Sequence, residues 1–386
     1  MKNYSKSKFS CSFLLAILVS VNLFSQNTDR DLSTMCSPKI MSYFMGLEPL
    51  SIPDRVSTLV KLKLNGILIR VDKNNLADID SYYNTKEVKD GTFHVYDLYT
   101  NIEVDATDAE LINEYNDLKS ICAEIQNRET VLQVIFGGTA SKARITQIVS
   151  AAADIAKTYG KELIIYPHFG NEIATAENAL VYIKAAKKSN LFLAVHLCHE
   201  LSAKNENRLK QVVENVAPYI KSVSISGASL VERPAVQTVG GSWKWGIKPL
   251  YMGEYDLSTY YNALNSIDYK GPIAIHTFAI FANFGLKPEQ HLPGSRTKLL
   301  QLANNVCLAT STEPETNLDV ENEFRVYPNP SNYGIFNISQ IASWKVYSVL
   351  GKELKSDNSN QINLSEYPKG VYLIKWNDKI EHIIVE

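Results

Sequence analysis

Short apolar runs alternate with amphipathic stretches over most of the chain after Lys39. The runs are typical of buried strands, and the stretches between them carry apolar residues near helical spacing, which predicts helices. Strands joined by helices form parallel βαβ units. Eight repeats in roughly 270 residues predict a (β/α)8 TIM barrel, with an open doubly wound α/β sheet as the alternative. The eight predicted strands are KIMSYFM, NGILIRV, TFHVYDLY, TVLQVIF, ELIIYPH, LFLAVHL, SVSIS and GPIAIHT.

The same pattern divides the chain into four parts. Residues 1–25 combine basic residues with the apolar run Phe13–Phe24, which predicts a signal peptide. A retained membrane anchor is the alternative, but the run is short for a span. The barrel covers residues 37–308, and a Thr- and Glu-rich linker covers 309–323. Short strands separated by turn residues then predict a small all-β sandwich over 324–386.

Charge and cysteine content refine this picture. A net charge of -2 provides no electrostatic footprint for nucleic acid, so we expect a small-molecule ligand or a protein partner. No other segment is apolar and long enough to predict a transmembrane helix in the mature chain. An exported chain meets an oxidising compartment, where disulfides form. Cys36 and Cys307 flank the barrel, and a disulfide between them would close it.

The C-terminal part resembles a known family. The segments VYPNPSNYGIFNI, WKVYSVLGKEL, INLSEYPKGVYLIKW and the terminal IIVE look like the sorting domain of the type IX secretion system, over Phe324–Glu386. The resemblance implies recognition by the type IX machinery, export through the periplasm and across the outer membrane, and release or attachment at the cell surface. A carbohydrate-binding sandwich is the alternative.

The barrel carries a second resemblance. YPHFGNEIATAENALVYIKAAKKSN, LAVHLCHEL and IKPLYMGEYDLSTYYNALNSIDYKGPIAIHTF look like the sugar phosphate isomerase/epimerase group, the xylose isomerase-like barrels, over Ser37–Ala309. In that family Glu, Asp, His and Glu at strand ends bind a divalent metal ion. The corresponding residues here are Tyr166, His196, Ser224 and His276, so the usual carboxylate ligands are absent. The cofactor stays unknown: a divalent metal ion would need His168, His196 and His276 as ligands.

Strand ends supply the candidate site residues, because βα folds keep their sites at the carboxyl ends of parallel strands. Alternation along each strand allows several of these side chains to converge. Arg70 ends a buried strand and needs an anion, either a ligand carboxylate or phosphate or the nearby Asp72. The candidate catalytic residues are His196, His199, His276 and Glu200, and the candidate substrate-binding residues are Arg70, Tyr166, His168, Trp243, Trp245 and Lys248.

These features predict an exported sugar isomerase or epimerase, or a related lyase, that transfers a proton next to a carbonyl. A free sugar or keto-sugar is the expected ligand, because an exported protein rarely meets sugar phosphates. Glu200 is a candidate base or a simple loop residue, and each histidine is a candidate base or a hydrogen-bonded barrel residue. The alternatives are a non-catalytic sugar-binding barrel and a zinc hydrolase similar to the apurinic endonucleases, which the absent carboxylates disfavour.

Overall fold

The structure is a computed structural model, and it describes residues 34–236, 242–310, 326–327, 329–331, 333–376 and 379–386. The predicted signal peptide lies outside these residues, as does the predicted linker from residue 311 onward. Within the described ranges, no helix has both the length and the apolar character needed to cross a membrane.

Eight parallel strands form the first part of the fold, and most of their residues are buried. A ladder of backbone hydrogen bonds joins every strand to the next, and β1 also pairs with β8, so the sheet closes on itself. This closure confirms the (β/α)8 barrel and excludes the open sheet. The strands are β1 (Ile40–Tyr43), β2 (Gly66–Arg70), β3 (His94–Glu103), β4 (Val131–Gly137), β5 (Leu163–Ile165), β6 (Leu191–His196), β7 (Ile220–Ile225) and β8 (Ile273–Ile275).

Helices surround the barrel and bury their apolar faces against it. Their starts follow local capping chemistry: Thr107 and Glu110 form a reciprocal capping box at the start of α4, and Thr175 caps α6. The helices are α1 (Ile52–Lys61), α2 (Ala77–Tyr83), α3 (Lys86–Lys89), α4 (Asp108–Ile125), α5 (Lys142–Thr158), α6 (Ala176–Ala186), α7 (Leu197–Ser202), α8 (Leu209–Val216), α9 (Leu257–Ser266), α10 (Ile280–Phe284) and α11 (Pro288–Thr310).

Two differences from the sequence-based expectation bear on the site. The third predicted strand ended at Tyr99, but β3 continues to Glu103 because β4 supplies pairing partners as far as Gly137. The residues after His196 form the short helix α7, where the sequence indicated a polar loop. Glu200 lies in this helix and is 1% exposed.

A disulfide joins the two ends of the barrel domain. Cys36 lies in a single 3-10 turn before β1 and Cys307 lies in α11, with 5.4 Å between their Cα atoms. This pairing confirms the sequence-based hypothesis. The other two cysteines of the described chain, Cys122 and Cys198, are buried free thiols.

The C-terminal part is an antiparallel five-stranded sheet with its own apolar core. Trp344, Ile374 and Trp376 are among the residues of this core, which is separate from that of the barrel. The all-β prediction is therefore confirmed. The strands are β9 (Val326–Tyr327), β10 (Ile335–Ser348), β11 (Glu353–Asn363), β12 (Gly370–Trp376) and β13 (Lys379–Val385).

Candidate functional site

Apolar and aromatic side chains fill the barrel interior. They lie below the end of the barrel at which the strands have their carboxyl termini, here called the mouth. Met41, Leu68 and Ile135 belong to this interior cluster together with three tyrosines, Tyr43, Tyr99 and Tyr166. Alternate residues of a strand face the same side, so the next inward positions of β2, β5 and β8 project above this layer, into the mouth. Several of the sequence-predicted residues occupy those positions.

Four polar side chains from four strands form a buried hydrogen-bond chain across the barrel. The Tyr43 hydroxyl lies 3.1 Å from the Tyr166 hydroxyl and 3.3 Å from Nδ1 of His196. The same Nδ1 lies 2.8 Å from Oγ of Ser224. Nε2 of His196 is buried and has no hydrogen-bond partner. The chain therefore holds His196 by one nitrogen and leaves the other unsatisfied.

Ring stacking extends this chain to the eighth strand. Tyr166 stacks on His196 with 3.8 Å between ring centroids, and Tyr43 stacks on His276 with 4.2 Å between centroids. Nδ1 of His276 accepts a hydrogen bond from the backbone N–H of Phe278, at 3.3 Å. A neutral imidazole carries one hydrogen, so that hydrogen lies on Nε2 of His276 and makes this nitrogen a donor.

His168 and His199 form a second pair, with 4.3 Å between ring centroids. Nδ1 of His168 lies 3.0 Å from the Phe169 carbonyl oxygen, which can only accept, so Nδ1 carries the hydrogen and Nε2 of neutral His168 has a free lone pair. His199 has the opposite arrangement. Its Nδ1 accepts the Phe169 N–H at 3.3 Å, and its Nε2 is buried without a partner. One loop residue thus sets both tautomers.

Burial keeps these histidines uncharged at neutral pH. It lowers the pKa of His168, and it lowers the pKa of His196 and His199 well below the usual value, with repulsion from neighbouring histidines acting in the same direction. The pKa of His276 falls to about 3, first through burial and then through the proximity of His168. The cluster consequently offers neutral donors and acceptors.

An apolar layer covers one half of the mouth. Trp243 packs with Cys198, Ile247 and Ile280, and its ring meets His199 edge-on at 5.2 Å between centroids. From the sequence, Trp243 or Trp245 was expected to lie above a ligand. Only Trp243 contacts the histidines, because Trp245 packs into the outer core and meets the Arg233 guanidinium.

Two of the predicted site residues have other partners. The Lys248 ammonium pairs with the Glu232 carboxylate at 2.8 Å. The carboxylate of Glu200 accepts the Ala176 backbone N–H at 2.8 Å and the Asn205 side-chain N–H at 2.6 Å. Burial nevertheless raises the pKa of Glu200 to about 7. These contacts give Glu200 a structural role at the start of α6.

The other half of the mouth is more open, and it contains Arg70 together with Tyr99 and Glu103, two residues that were not among the candidates from the sequence. Arg70 is exposed, and its expected partner Asp72 instead accepts the backbone N–H of Asn74. Burial raises the pKa of Tyr99 to about 12 and nearby Arg70 opposes the rise. Glu103 is half-buried at the end of β3. The alternation Asp97, Tyr99, Asn101, Glu103 was the signal that could have revealed it.

The residues present do not fit the divalent metal ion that the barrel resemblance implies. Tyr166 and Ser224 stand at two of the four ligand positions, and both hydroxyls are engaged in the hydrogen-bond chain. His168, His196 and His276 lie in one cluster, but among the described residues no three His, Cys, Asp or Glu side chains are arranged to hold a metal ion. No step of the chemistry below passes through a metal.

Comparison with known proteins identifies the C-terminal part. Residues 325–386 match the secretion system C-terminal sorting domain, which confirms the resemblance seen in the sequence. No curated protein matches the chain.

Comparison with solved structures concerns the barrel. It is similar to the 3-keto-D-glucoside 4-epimerase YcjR from E. coli, with 15% identity over 68% of this chain and 98% of that one and a TM-score of 0.53. An L-ribulose 3-epimerase also has 15% identity and a TM-score of 0.53, over 72% of this chain and 100% of that one. The probable 3-DHS dehydratase AsbF from Bacillus anthracis has 14% identity and a TM-score of 0.51, over 69% of this chain and 99% of that one. Likeness at this identity shows the shared xylose isomerase-like TIM-barrel fold.

Proposed function

We propose that the protein is an exported sugar isomerase or epimerase that moves a proton next to a carbonyl group. The observation that carries this proposal is the state of His168. Its Nδ1–H is tied to the Phe169 carbonyl, and its Nε2 lone pair makes no hydrogen bond within the described part of the mouth. A neutral imidazole with a free nitrogen is an effective general base near neutral pH. Two barrels of similar fold are named as sugar epimerases.

The proposed reaction begins with a keto-sugar in the open half of the mouth. Nε2 of His168 removes the proton from the carbon next to the carbonyl. The electron pair of that C–H bond forms a carbon–carbon double bond, and the carbonyl oxygen becomes an enediolate oxygen. The Nε2–H of neutral His276 and the Tyr99 hydroxyl donate hydrogen bonds to this oxygen. Preorganised donors in a poorly solvated site stabilise such a charge strongly.

The buried residues act as positioning groups in this proposal. His199 packs against His168, and the chain of Tyr43, Tyr166, His196 and Ser224 holds the floor of the mouth. Trp243 closes the covered half over His199. Arg70 provides a positive charge at the rim for a polar or anionic substituent of the sugar.

We propose that the protein acts outside the cell, because it carries the C-terminal sorting domain. A C-terminal sorting domain directs its protein to a secretion system, here the type IX machinery, and the mature protein is then secreted or held at the cell surface. A free keto-sugar is the substrate class that such a location supplies.

One alternative function has a specific observation in its favour. All four metal-ligand positions of the resembled family are occupied by other residues, two of them, Tyr166 and His196, stacked on each other. Such a change could leave a barrel that binds a sugar without converting it.

Proton exchange in heavy water tests the proposal. The purified protein is incubated in D2O with L-ribulose or D-allulose, and NMR follows deuterium at the carbon next to the carbonyl and the formation of the epimer. We expect the unmutated protein to exchange this hydrogen for deuterium. The His168→Gln variant should do so at least about 100-fold more slowly. His94→Gln is the control, because His94 begins β3 at the opposite end of the barrel. Sugar binding without exchange in the unmutated protein would favour the binding alternative.

A further inference from the structure

We propose that Glu103 is a catalytic residue that works with His168 as the second proton-transfer group, so that the reaction inverts one carbon. This inference rests on the proposed function and narrows it to epimerisation. Removing a proton from one face of a carbon and returning one to the other face requires a donor and an acceptor on opposite sides. The placement of Glu103 is the basis for this role.

Two contacts of residues on β3, together with strand alternation, show that Glu103 faces the mouth. Asp97 accepts a hydrogen bond from Ser222 across the barrel interior, at 2.5 Å, and the Tyr99 ring meets Tyr166 at 5.5 Å between centroids. Both residues therefore point inward. Because side chains alternate along a strand, Glu103 lies on the same inward side as Asp97 and Tyr99, above the tyrosine layer.

A glycine on the neighbouring strand leaves room for the Glu103 carboxylate. Gly137 ends β4 and pairs with Glu103 in the ladder, and its position is inward because Gln133 and Ile135 on the same strand are inward. A Cβ built on Gly137 would lie 2.7 Å from Oε1 of Glu103 and closer still to Oε2. The carboxylate thus occupies the space above β4 that a side chain there would fill.

His168 follows on the other side of that space. It comes after β5, the neighbour of β4, and shares the inward side of Tyr166 two residues earlier. Glu103 and His168 therefore lie at the mouth ends of β3 and β5, on the two sides of β4, where Gly137 has no side chain. No side chain of the described residues donates a hydrogen bond to the Glu103 carboxylate, and its backbone N–H binds Glu114. The carboxylate is free to contact a ligand.

The proposed reaction uses one proton that His168 and Glu103 share. Nε2 of His168 takes the proton from the sugar carbon, the enediolate forms, and protonated Glu103 delivers its proton to the opposite face of the same carbon as the carbonyl re-forms. Transfer of a proton from His168 back to Glu103 through water restores the starting state. For the opposite epimer the steps run in reverse: Glu103 removes the proton, and His168 returns the proton that it holds after the forward step.

Deuterium exchange from each epimer tests the assignment. Glu103→Gln and His168→Gln are each incubated in D2O with L-ribulose or with its C3 epimer, and both exchange into recovered sugar and conversion are measured. We expect both variants to lose conversion by at least about 100-fold. Because His168 is the base for L-ribulose in this scheme, Glu103→Gln keeps exchange from L-ribulose and loses it from the C3 epimer, and His168→Gln does the reverse.

Two further variants separate this role from a structural one. Gly137→Ala displaces the Glu103 carboxylate and is expected to reduce conversion while retaining the carboxylate. Asp105→Asn is the matched control, because the exposed Asp105 lies over the next glycine, Gly138, and is expected to leave activity unchanged.

The outcomes distinguish the inference from the proposed function. Conversion by Glu103→Gln at the unmutated rate, or loss of exchange from both epimers in that variant, would overturn the role of Glu103 and leave the proposed function in place. Absence of exchange and of conversion in the unmutated protein would instead remove the proposed function, and the role of Glu103 with it.

Discussion

The ring of Tyr166 lies against the imidazole of His196, with 3.8 Å between centroids and 30° between ring planes. These are the positions at which the resembled sugar isomerases carry a Glu and an Asp as metal ligands. The stacked pair fills the space between β5 and β6 with neutral groups, and the Tyr43 hydroxyl bonds to both of them. The barrel mouth is thereby built around hydrogen bonds between uncharged side chains.

The first prediction concerns metal dependence. Because the ligand positions are occupied by an engaged tyrosine, histidine and serine, dialysis against EDTA is expected to leave exchange of L-ribulose in D2O unchanged. Elemental analysis of the purified protein should find less than about a tenth of an equivalent of divalent ion. Loss of exchange on chelation that Mn²⁺ restores would contradict this expectation.

The second prediction concerns the pH dependence of turnover. Burial lowers the pKa of His168, so its base form persists below the usual histidine value of 6.5. The acidic limb of kcat/KM, which reports the free enzyme, is therefore expected below pH 6.5. A profile measured with L-ribulose between pH 4 and 9 checks this, after stability over the same range has been established. A midpoint above 6.5 would show that another group acts as the base.

The third prediction concerns a buried carboxylate below the mouth. Asp97 accepts hydrogen bonds from Gln133 and Ser222, and burial raises its pKa from 3.8 to about 6. The folded protein thus binds this proton more tightly than the unfolded chain does. Ionisation of Asp97 therefore lowers stability as pH rises from 4 to 6, and the full loss, about 3 kcal/mol at most, persists above pH 6.

The Asp97→Asn variant has no ionisable group at this position, so it does not lose this stability as the pH rises from 4 to 6. Its amide can also donate to Oε1 of Gln133, which is buried without a partner. We expect the variant to be more stable than the unmutated protein at pH 7 and to have a smaller advantage at pH 4, in urea unfolding at both values. Both proteins contain the same buried histidines, so the titration of these histidines does not affect the difference in unfolding free energy between the two proteins. A destabilised variant at pH 7 would contradict the assignment.

The fourth prediction concerns the disulfide. Cys36 and Cys307 are separated by 271 residues, so their bond closes a long loop in the unfolded chain. The entropy that such a loop removes from the unfolded chain corresponds to about 6 kcal/mol, and measured values are commonly lower. Cys36→Ser is expected to lower the Tm of the oxidised protein, and reductant should lower the Tm of the unmutated protein but not that of Cys36→Ser. Cys122→Ala is the control, since Cys122 is a buried free thiol and this variant keeps the disulfide, so reductant should still lower its Tm.

A matched shift on reduction of the Cys36→Ser variant would argue against this disulfide. Peptide mapping provides a direct check, because the two cysteine peptides should migrate together until reductant separates them.

The sequence by itself determined the architecture. Period-two and helical patterns record which side chains are buried, and eight alternations predicted the barrel. Pairing of β1 with β8 then excluded the open sheet. The sorting domain was recognisable from ordered motifs within 62 residues, 325–386. Sequence also placed His168, His196 and His276 at strand ends, because the ends of apolar runs are visible directly.

Tertiary structure alone decided how these side chains work. The tautomers of His168 and His199 depend on the backbone of Phe169, and the orientation of His276 depends on that of Phe278. The sequence placed Glu200 among the candidate site residues. In the structure, α7 directs its carboxylate to the backbone N–H at the start of α6. Glu103 lies in the mouth because distant β4 extends the ladder of β3 and ends in a glycine. Such contacts join residues far apart in the chain, so no local pattern encodes them.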